Sequence, residues 1–123
     1  MTDLTFAAAT DIAAAIKAGD ISSRDITEHY IQRIERLDAS VNAVCVRTFE
    51  QALDAADHAD ASLAKGESFG PLHGVPMSIK ESYVLAGTPA TWGIPAYRGN
   101  VATADGLAVA RFKSAGAHFK SMA

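Results

Sequence analysis

Gly70-Pro-Leu-His-Gly-Val-Pro-Met-Ser-Ile-Lys-Glu-Ser82 is the stretch on which the reading of this chain turns. Its two glycines, Gly70 and Gly74, bracket a histidine, and an apolar run, Val75-Pro-Met-Ser-Ile79, then ends on a lysine. The run predicts a strand over residues 75–80. Pro76 lacks an N–H, which places it at a strand start or a sheet edge. No Gly-Lys-Ser/Thr follows the glycines, so the loop is not a phosphate cradle. Lys80 stands at the strand terminus, before a long loop. Partial desolvation there would lower its pKa and make it a base, although a lysine at a strand end also commonly just reaches for water.

Downstream, turn formers dominate. From Gly66 to Gly106 the chain carries seven of its nine glycines and all four prolines, which predicts loops over residues 82–104. Trp92 and Tyr97 in that loop either line a pocket or anchor the loop by packing. Residues 105–114 predict a last helix whose apolar side chains (Leu107, Ala108, Val109, Ala110, Phe112) run nearly all the way round, so cover is expected on most sides. Ala115-Gly116-Ala117 closes it, and His118-Phe-Lys-Ser-Met-Ala123 follows. A buried helix running into the beginning of a strand is the middle of an α/β unit, so the pattern is expected to be incomplete.

Upstream, residues 1–66 read as helices plus one strand. Thr5 is the expected cap of a helix to about Ala18, with Ile12 and Ile16 on one face and Gly19 closing it. Ser22 and Asp25 stand at capping-box spacing before a helix whose inner stripe is Ile26, Tyr30, Ile34 and Leu37 and whose wetted stripe is Arg24, Glu28, Gln32 and Arg36. Residues 43–46 predict a buried strand. Residues 50–65 are helical again, with Leu53, Ala56 and Leu63 facing in and Asp54, Asp57, His58 and Asp60 mostly outside. Asp54 and His58 at i,i+4 have no third ligand in view, so a solvated acidic face is expected rather than a metal site.

Composition narrows the class. The chain has 123 residues, 49% apolar and 20% charged, which is one globular domain's worth. Its net charge is −3, leaving no basic field for nucleic acid. Residues 1–70 carry 12 acids and 6 bases, and residues 71–123 carry 2 acids and 5 bases, so the two parts differ in character. Cys45 is alone, which fits a reducing compartment, and no signal peptide or membrane span is expected. A cytoplasmic protein is the expectation. The histidines His29, His58, His73 and His118 lack ligand spacing and are expected at the surface or capped.

The 70–82 block resembles the segment around the catalytic lysine of the amidase signature family. Gly87-Thr-Pro-Ala-Thr-Trp-Gly-Ile-Pro95 is similar to the family's next loop, and Ala104-Asp-Gly-Leu-Ala-Val-Ala-Arg-Phe-Lys-Ser-Ala-Gly-Ala117 to its following helix. The resemblance implies an α/β fold of helices around a mixed sheet, of which residues 1–123 would be an incomplete domain. Residues 1–66 would supply N-terminal helices plus one strand, and residues 67–123 the lysine-bearing strand, loop and covering helix. It further implies amide C–N hydrolysis by a Ser–cis-Ser–Lys triad, with Lys80 as the catalytic lysine, a small amide as substrate and no metal or organic cofactor. The family's Gly/Ser-rich signature lies downstream of the last matched helix, and the tail 118–123 lacks the usual glycine, so the chain alone is expected to be inactive. The alternatives are a non-catalytic module that self-associates or binds a partner through helix 105–114, or a chain completed by a second one.

Overall fold

Ile12 and Ile16 make the inner face of α1 (Ala9–Ala18) in the computed structural model, which describes residues 3–123. Gly19 ends the helix at φ 77°, and its N–H returns to the carbonyls of Ala15 and Ile16. Thr5 is not the cap. Ala8 is at that position and no side chain caps it, while the Thr5 hydroxyl is shared with His29 Nε2 at 2.8 Å.

The second helix, α2 (Ser23–Val41), begins as its sequence predicts, with Ser22 Oγ accepting the Asp25 N–H at 2.9 Å. It is also capped from outside. The Asp60 carboxylate accepts the N–H groups of Ser23 and Arg24 at 2.8 and 2.9 Å, satisfying two donors that a helix start leaves orphaned. Asp60 therefore ties α3 (Phe49–Ala64) to α2 instead of resting on a solvated face, and Asp57 adds an ion pair to Arg24 at 2.8 Å. The inner stripe of α3 is Ala52, Ala56, Ala59 and Ser62, with Leu53 and Leu63 half-buried at its margins. Leu37 lies on the exposed end of the α2 stripe.

The expected strand over 43–46 shrinks to β1 (Val46–Arg47). Asn42 turns left-handed at φ 53°, and the Asp38 carboxylate accepts the N–H groups of Ala43 and Val44 at 2.8 and 3.1 Å. Those residues wrap the end of α2, and their donors are spent before a ladder can use them.

Three strands form one mixed sheet in the order β1-β3-β2. The central β3 (His118–Met122) is antiparallel to β1 and parallel to β2 (Pro76–Ile79). Pro76 opens an edge strand, where its missing N–H is harmless. The β2–β3 register slips once: Met77 faces Phe119 but Ser78 faces Ser121, so Lys120 is the extra residue of a bulge.

The core has two parts. Ile12, Ile16, Ile21, Ile26 and Val75 join the helices to the start of β2, and Leu85, Val109, Phe119 and Met122 fill the other side of the sheet. Each fully buried isoleucine or phenylalanine contributes about 2–3 kcal/mol. The last helix, α4 (Leu107–Ser114), departs from expectation. It fully buries only Val109, and Leu107 is 68% exposed, because only one side of α4 meets the sheet. Four helices on a small mixed sheet make the fold α/β. Among the described residues no helix is long and apolar enough to cross a membrane.

Candidate functional site

The Gly70–Gly74 loop meets the turn after α4 with no room between them. A Cβ on Gly70 would lie 2.7 Å from the Ala115 oxygen, and one on Gly116 would lie 2.7 Å from His73 Cα. Both have positive φ, at 142° and 99°. Leu72 N–H donates to Ala115 O at 2.8 Å, Gly74 N–H to Gly116 O at 3.0 Å, and His118 N–H to Val75 O at 3.1 Å. These bonds run directly into the β2–β3 ladder. From the other side, the buried Ser23 hydroxyl donates to Gly74 O at 2.6 Å.

His73, in the same loop, is buried. Its Nδ1 accepts the Phe69 N–H at 2.9 Å, which leaves Nε2 to donate to Ala59 O at 2.8 Å. It is a pin between the loop and α3, and no ring nitrogen is left for chemistry. His118 is buried too, on β3, with Nε2 sharing a hydrogen bond with the Thr27 hydroxyl at 3.0 Å. Burial, then the charge of Lys120, pushes His118 down to about 4. Of the two expected placements, surface or capped, these two histidines take the capped one, each filling a polar gap between elements.

Lys80 follows the last residue of β2 in extended backbone, φ −68° and ψ 138°. Its carbonyl accepts the Tyr83 N–H at 2.9 Å, and the next N–H, of Glu81, donates to Ala123 O at 2.8 Å. The Glu81 carboxylate accepts the Thr91 hydroxyl at 2.7 Å and the N–H groups of Thr91 and Trp92 at 2.9 and 3.3 Å. Burial alone would raise the Glu81 pKa, but these hydrogen bonds outweigh it and hold the carboxyl below its usual value. Loop 91–92 is thus clasped beside the lysine. The Lys80 side chain itself is exposed. The ion pairs among the described residues join Arg24 to Glu28 and Asp57, and Lys113 to Asp105, and none involves Lys80. Trp92 and Tyr97 are no buried anchors, and with Asn100 and Val101 they line an open groove.

A second polar cluster lies on the same sheet, unforeseen from sequence. The bulge sets Lys120 and Ser121 together against Ser78. Lys120 Nζ donates to Ser78 Oγ at 3.0 Å, and Ser121 Oγ is 2.7 Å from the same atom. Lys120 is only 7% exposed and lies over the Tyr30 ring at 5.3 Å from its centroid. Burial pushes its pKa down to about 8. The available signal was a segment bearing His, Lys and Ser directly after a helix-ending turn, which reads as a tail unless it is paired. Asp54 and His58 lie exposed on α3, and no group of three or more metal-ligating side chains occurs among the described residues.

The family model described as Amidase matches residues 25–122. The indoleacetamide hydrolase of Bradyrhizobium diazoefficiens is 41% identical over 109 residues, covering 89% of this chain and 21% of the relative. The acylamidase of Rhodococcus erythropolis is 34% identical over 117 residues, covering 95% of this chain and 24% of its own. Among solved structures, the native peptide amidase of Stenotrophomonas maltophilia superposes with a TM-score of 0.88 at 29% identity, over 98% of this chain and 25% of that one. Fatty acid amide hydrolase superposes with a TM-score of 0.89 at 25% identity, over 99% and 22%. The chain spans about a fifth to a quarter of the length of these proteins. With the matched residues running from α2 through β3 and the fold agreeing along nearly the whole chain, the chain belongs to the amidase signature family.

Proposed function

We propose that this chain is the lysine-bearing part of an amide hydrolase that works by a Ser–cis-Ser–Lys triad, with Lys80 as the base. Neutral Lys80 would take a proton through a bridging serine, which frees the nucleophilic serine to attack an amide carbonyl. A serine hydroxyl is a weak nucleophile at neutral pH and needs such a base. The bridging serine sits on a cis peptide bond, which a non-proline residue adopts only where surroundings force it, and backbone N–H groups would hold the oxyanion. The observation that carries this reading is the fixed end of β2. The close packing of Gly70 on Ala115 and of Gly116 on His73, with the Glu81 clasp, holds the backbone on both sides of Lys80 while its amine stays open to a partner.

The two serines belong to the family's Gly/Ser-rich segment, beyond the helix that α4 matches. Ser22, Ser23, Ser78 and Ser82 fall in other matched segments. The chain alone is therefore expected not to hydrolyse amides. The test is complementation: the chain is mixed with a polypeptide carrying the remaining four-fifths or so of the Bradyrhizobium indoleacetamide hydrolase, and turnover of a small aryl amide is followed. Turnover that needs both chains and vanishes in Lys80→Ala supports the reading. Turnover by the mixture that survives Lys80→Ala removes Lys80 from the mechanism. Turnover by this chain alone that disappears in Lys80→Ala overturns its incompleteness.

A second reading rests on α4, whose Leu107 and Ala110 are exposed on the side away from the sheet. On this reading the chain self-associates there without catalysis. Sedimentation that gives a concentration-dependent dimer lost in Leu107→Glu supports it, and a monomer at all concentrations counts against it.

A further inference from the structure

We propose that Ser78, Lys120 and Ser121 form a nucleophilic site of their own, in which Ser78 Oγ attacks activated acyl esters and the Lys120 amine takes its proton. The proposal uses none of the residues assigned to amide hydrolysis and stands or falls apart from that reading.

The bulge creates the site. In a regular ladder only one residue of β3 would face Ser78, whereas the extra residue brings Lys120 Nζ to 3.0 Å and Ser121 Oγ to 2.7 Å from one hydroxyl. Bulges commonly re-aim side chains in this way beside reactive centres. The burial differs usefully among the three. Lys120 and Ser121 are buried, and Ser78, on the edge strand, is the exposed member. Ser78 and Lys120 line a cleft of about 280 Å³ whose other wall is the apolar end of the α2 stripe, including Ile34, Leu37 and Val41. The cleft is open to solvent and suits a short acyl or aryl group.

Lysine is a base only when neutral, and a serine needs such a base within hydrogen-bond reach. With the ammonium deprotonated, the hydrogen bonds reverse. Ser78 O–H then donates to Lys120 Nζ, and Ser121 O–H donates to Ser78 Oγ, holding it in place. Burial already pushes Lys120 down to about 8, so a useful fraction is neutral in mildly alkaline buffer. The charged and titratable groups around it are Tyr30, Arg33 and Asp38 on α2, Lys80 beyond the end of β2, Arg47 on β1 and His118 on its own strand.

With p-nitrophenyl acetate as probe, the Ser78 Oγ–carbonyl carbon bond forms and the carbon–aryloxide bond breaks. The electron pair leaves with p-nitrophenolate, and the serine proton ends on Lys120. No redox partner or further reactant is needed. Amides, with a poorer leaving group, are not expected to react.

The experiment is incubation of the full chain with p-nitrophenyl acetate, followed by peptide mapping of the acetyl group by mass spectrometry. The expected result is one acetyl on Ser78, with a rate that rises with pH as Lys120 loses its proton. Lys120→Met, which replaces the amine by an apolar chain of similar shape, should slow Ser78 labelling about a hundredfold, and Ser78→Ala should abolish it. Circular dichroism on each variant shows that the fold is kept, and labelling in urea should disappear. Ser78 labelled equally fast in folded Lys120→Met, acetyl found only on lysine amines, or no acetylation of the folded chain each overturns the proposal.

Discussion

In the helical part of the molecule, residues 9–64, several ends are set by neighbours in sequence: Gly19 closes α1, Ser22 opens α2 three residues before its donor, and Asn42 with Asp38 turns the chain at the far end, while Asp60 adds a cap to α2 from α3. In the seam where β2 meets β3, the partners lie 42 and 43 residues apart. There glycine stands against backbone, and a histidine, a lysine and two serines are built into a sheet. The first region is held by propensity, caps and an isoleucine core. The second depends on remote segments fitting together, and it carries both candidate sites. The difference teaches where substitutions will be felt.

The largest effect is expected at the glycine contact. Gly116→Ala adds a Cβ 2.7 Å from His73 Cα in a backbone with φ 99°. Overpacking and strain together should destabilise the chain by about 3–4 kcal/mol. Gly19→Ala has open space around its Cβ and pays only for φ 77°, so about 1 kcal/mol is expected. Urea denaturation of the two variants compares seam with helix directly, and equal losses would break the comparison.

Lys120→Met should act in the opposite direction. Lowering the lysine from 10.5 to about 8 means that the folded state disfavours its charge, which amounts to about 3 kcal/mol below pH 8. In the parent chain, stability is highest above the unfolded pKa and falls as the pH drops from 10.5 to about 8, because the unfolded state then binds the extra proton. The variant should be more stable by about 2–3 kcal/mol at pH 7, and its stability should lack that slope. A destabilised Lys120→Met would show that the hydrogen bond to Ser78 outweighs burial of the amine.

A smaller test uses acid. His118 moves from 6.5 down to about 4 on folding, so stability is full above pH 6.5 and is lost as the pH falls toward 4. The expected loss is up to about 3 kcal/mol. His118→Gln keeps a hydrogen-bonding partner for Thr27 but cannot titrate, and its stability between pH 6.5 and 4 should be flatter than the parent's. Parallel curves would place the acid sensitivity elsewhere. Smallest of all, Ser22→Ala should cost about 1 kcal/mol through the lost cap, measured by the shift in melting temperature.

The same division explains what the sequence made legible. The caps at Gly19 and Ser22, the periodic isoleucines and the β2 run with Lys80 at its end are local signals that reappear in the structure, whereas the cap expected at Thr5 does not. The amidase resemblance likewise rested on contiguous blocks. The misreadings involve contacts that one segment cannot announce. Residues 43–46 look like a strand until Asp38 takes the N–H groups of Ala43 and Val44. Asp60 looks solvated until it is found capping α2. The Lys120 cluster depends on a one-residue slip between strands, which inverts the alternation that a strand pattern assumes. Of the candidate sites, Lys80 was readable because it is the end of a run, and Ser78–Lys120 was not because it exists only across a ladder.

The placement of β3 also sets an order in time. The strand at the centre of the sheet is the last of the three along the chain, and its ladder to β2 must close a loop of roughly 40 residues. Helices relax in about a microsecond, while such non-local pairing is slower. Refolding should therefore show an early rise of helical signal from α1–α3 and a later phase in which β3 threads between β1 and β2. Until that phase is complete, the Ser78 hydroxyl and the Lys120 amine have not met. Any reactivity that belongs to the pair should appear with the slow phase and not with the fast one.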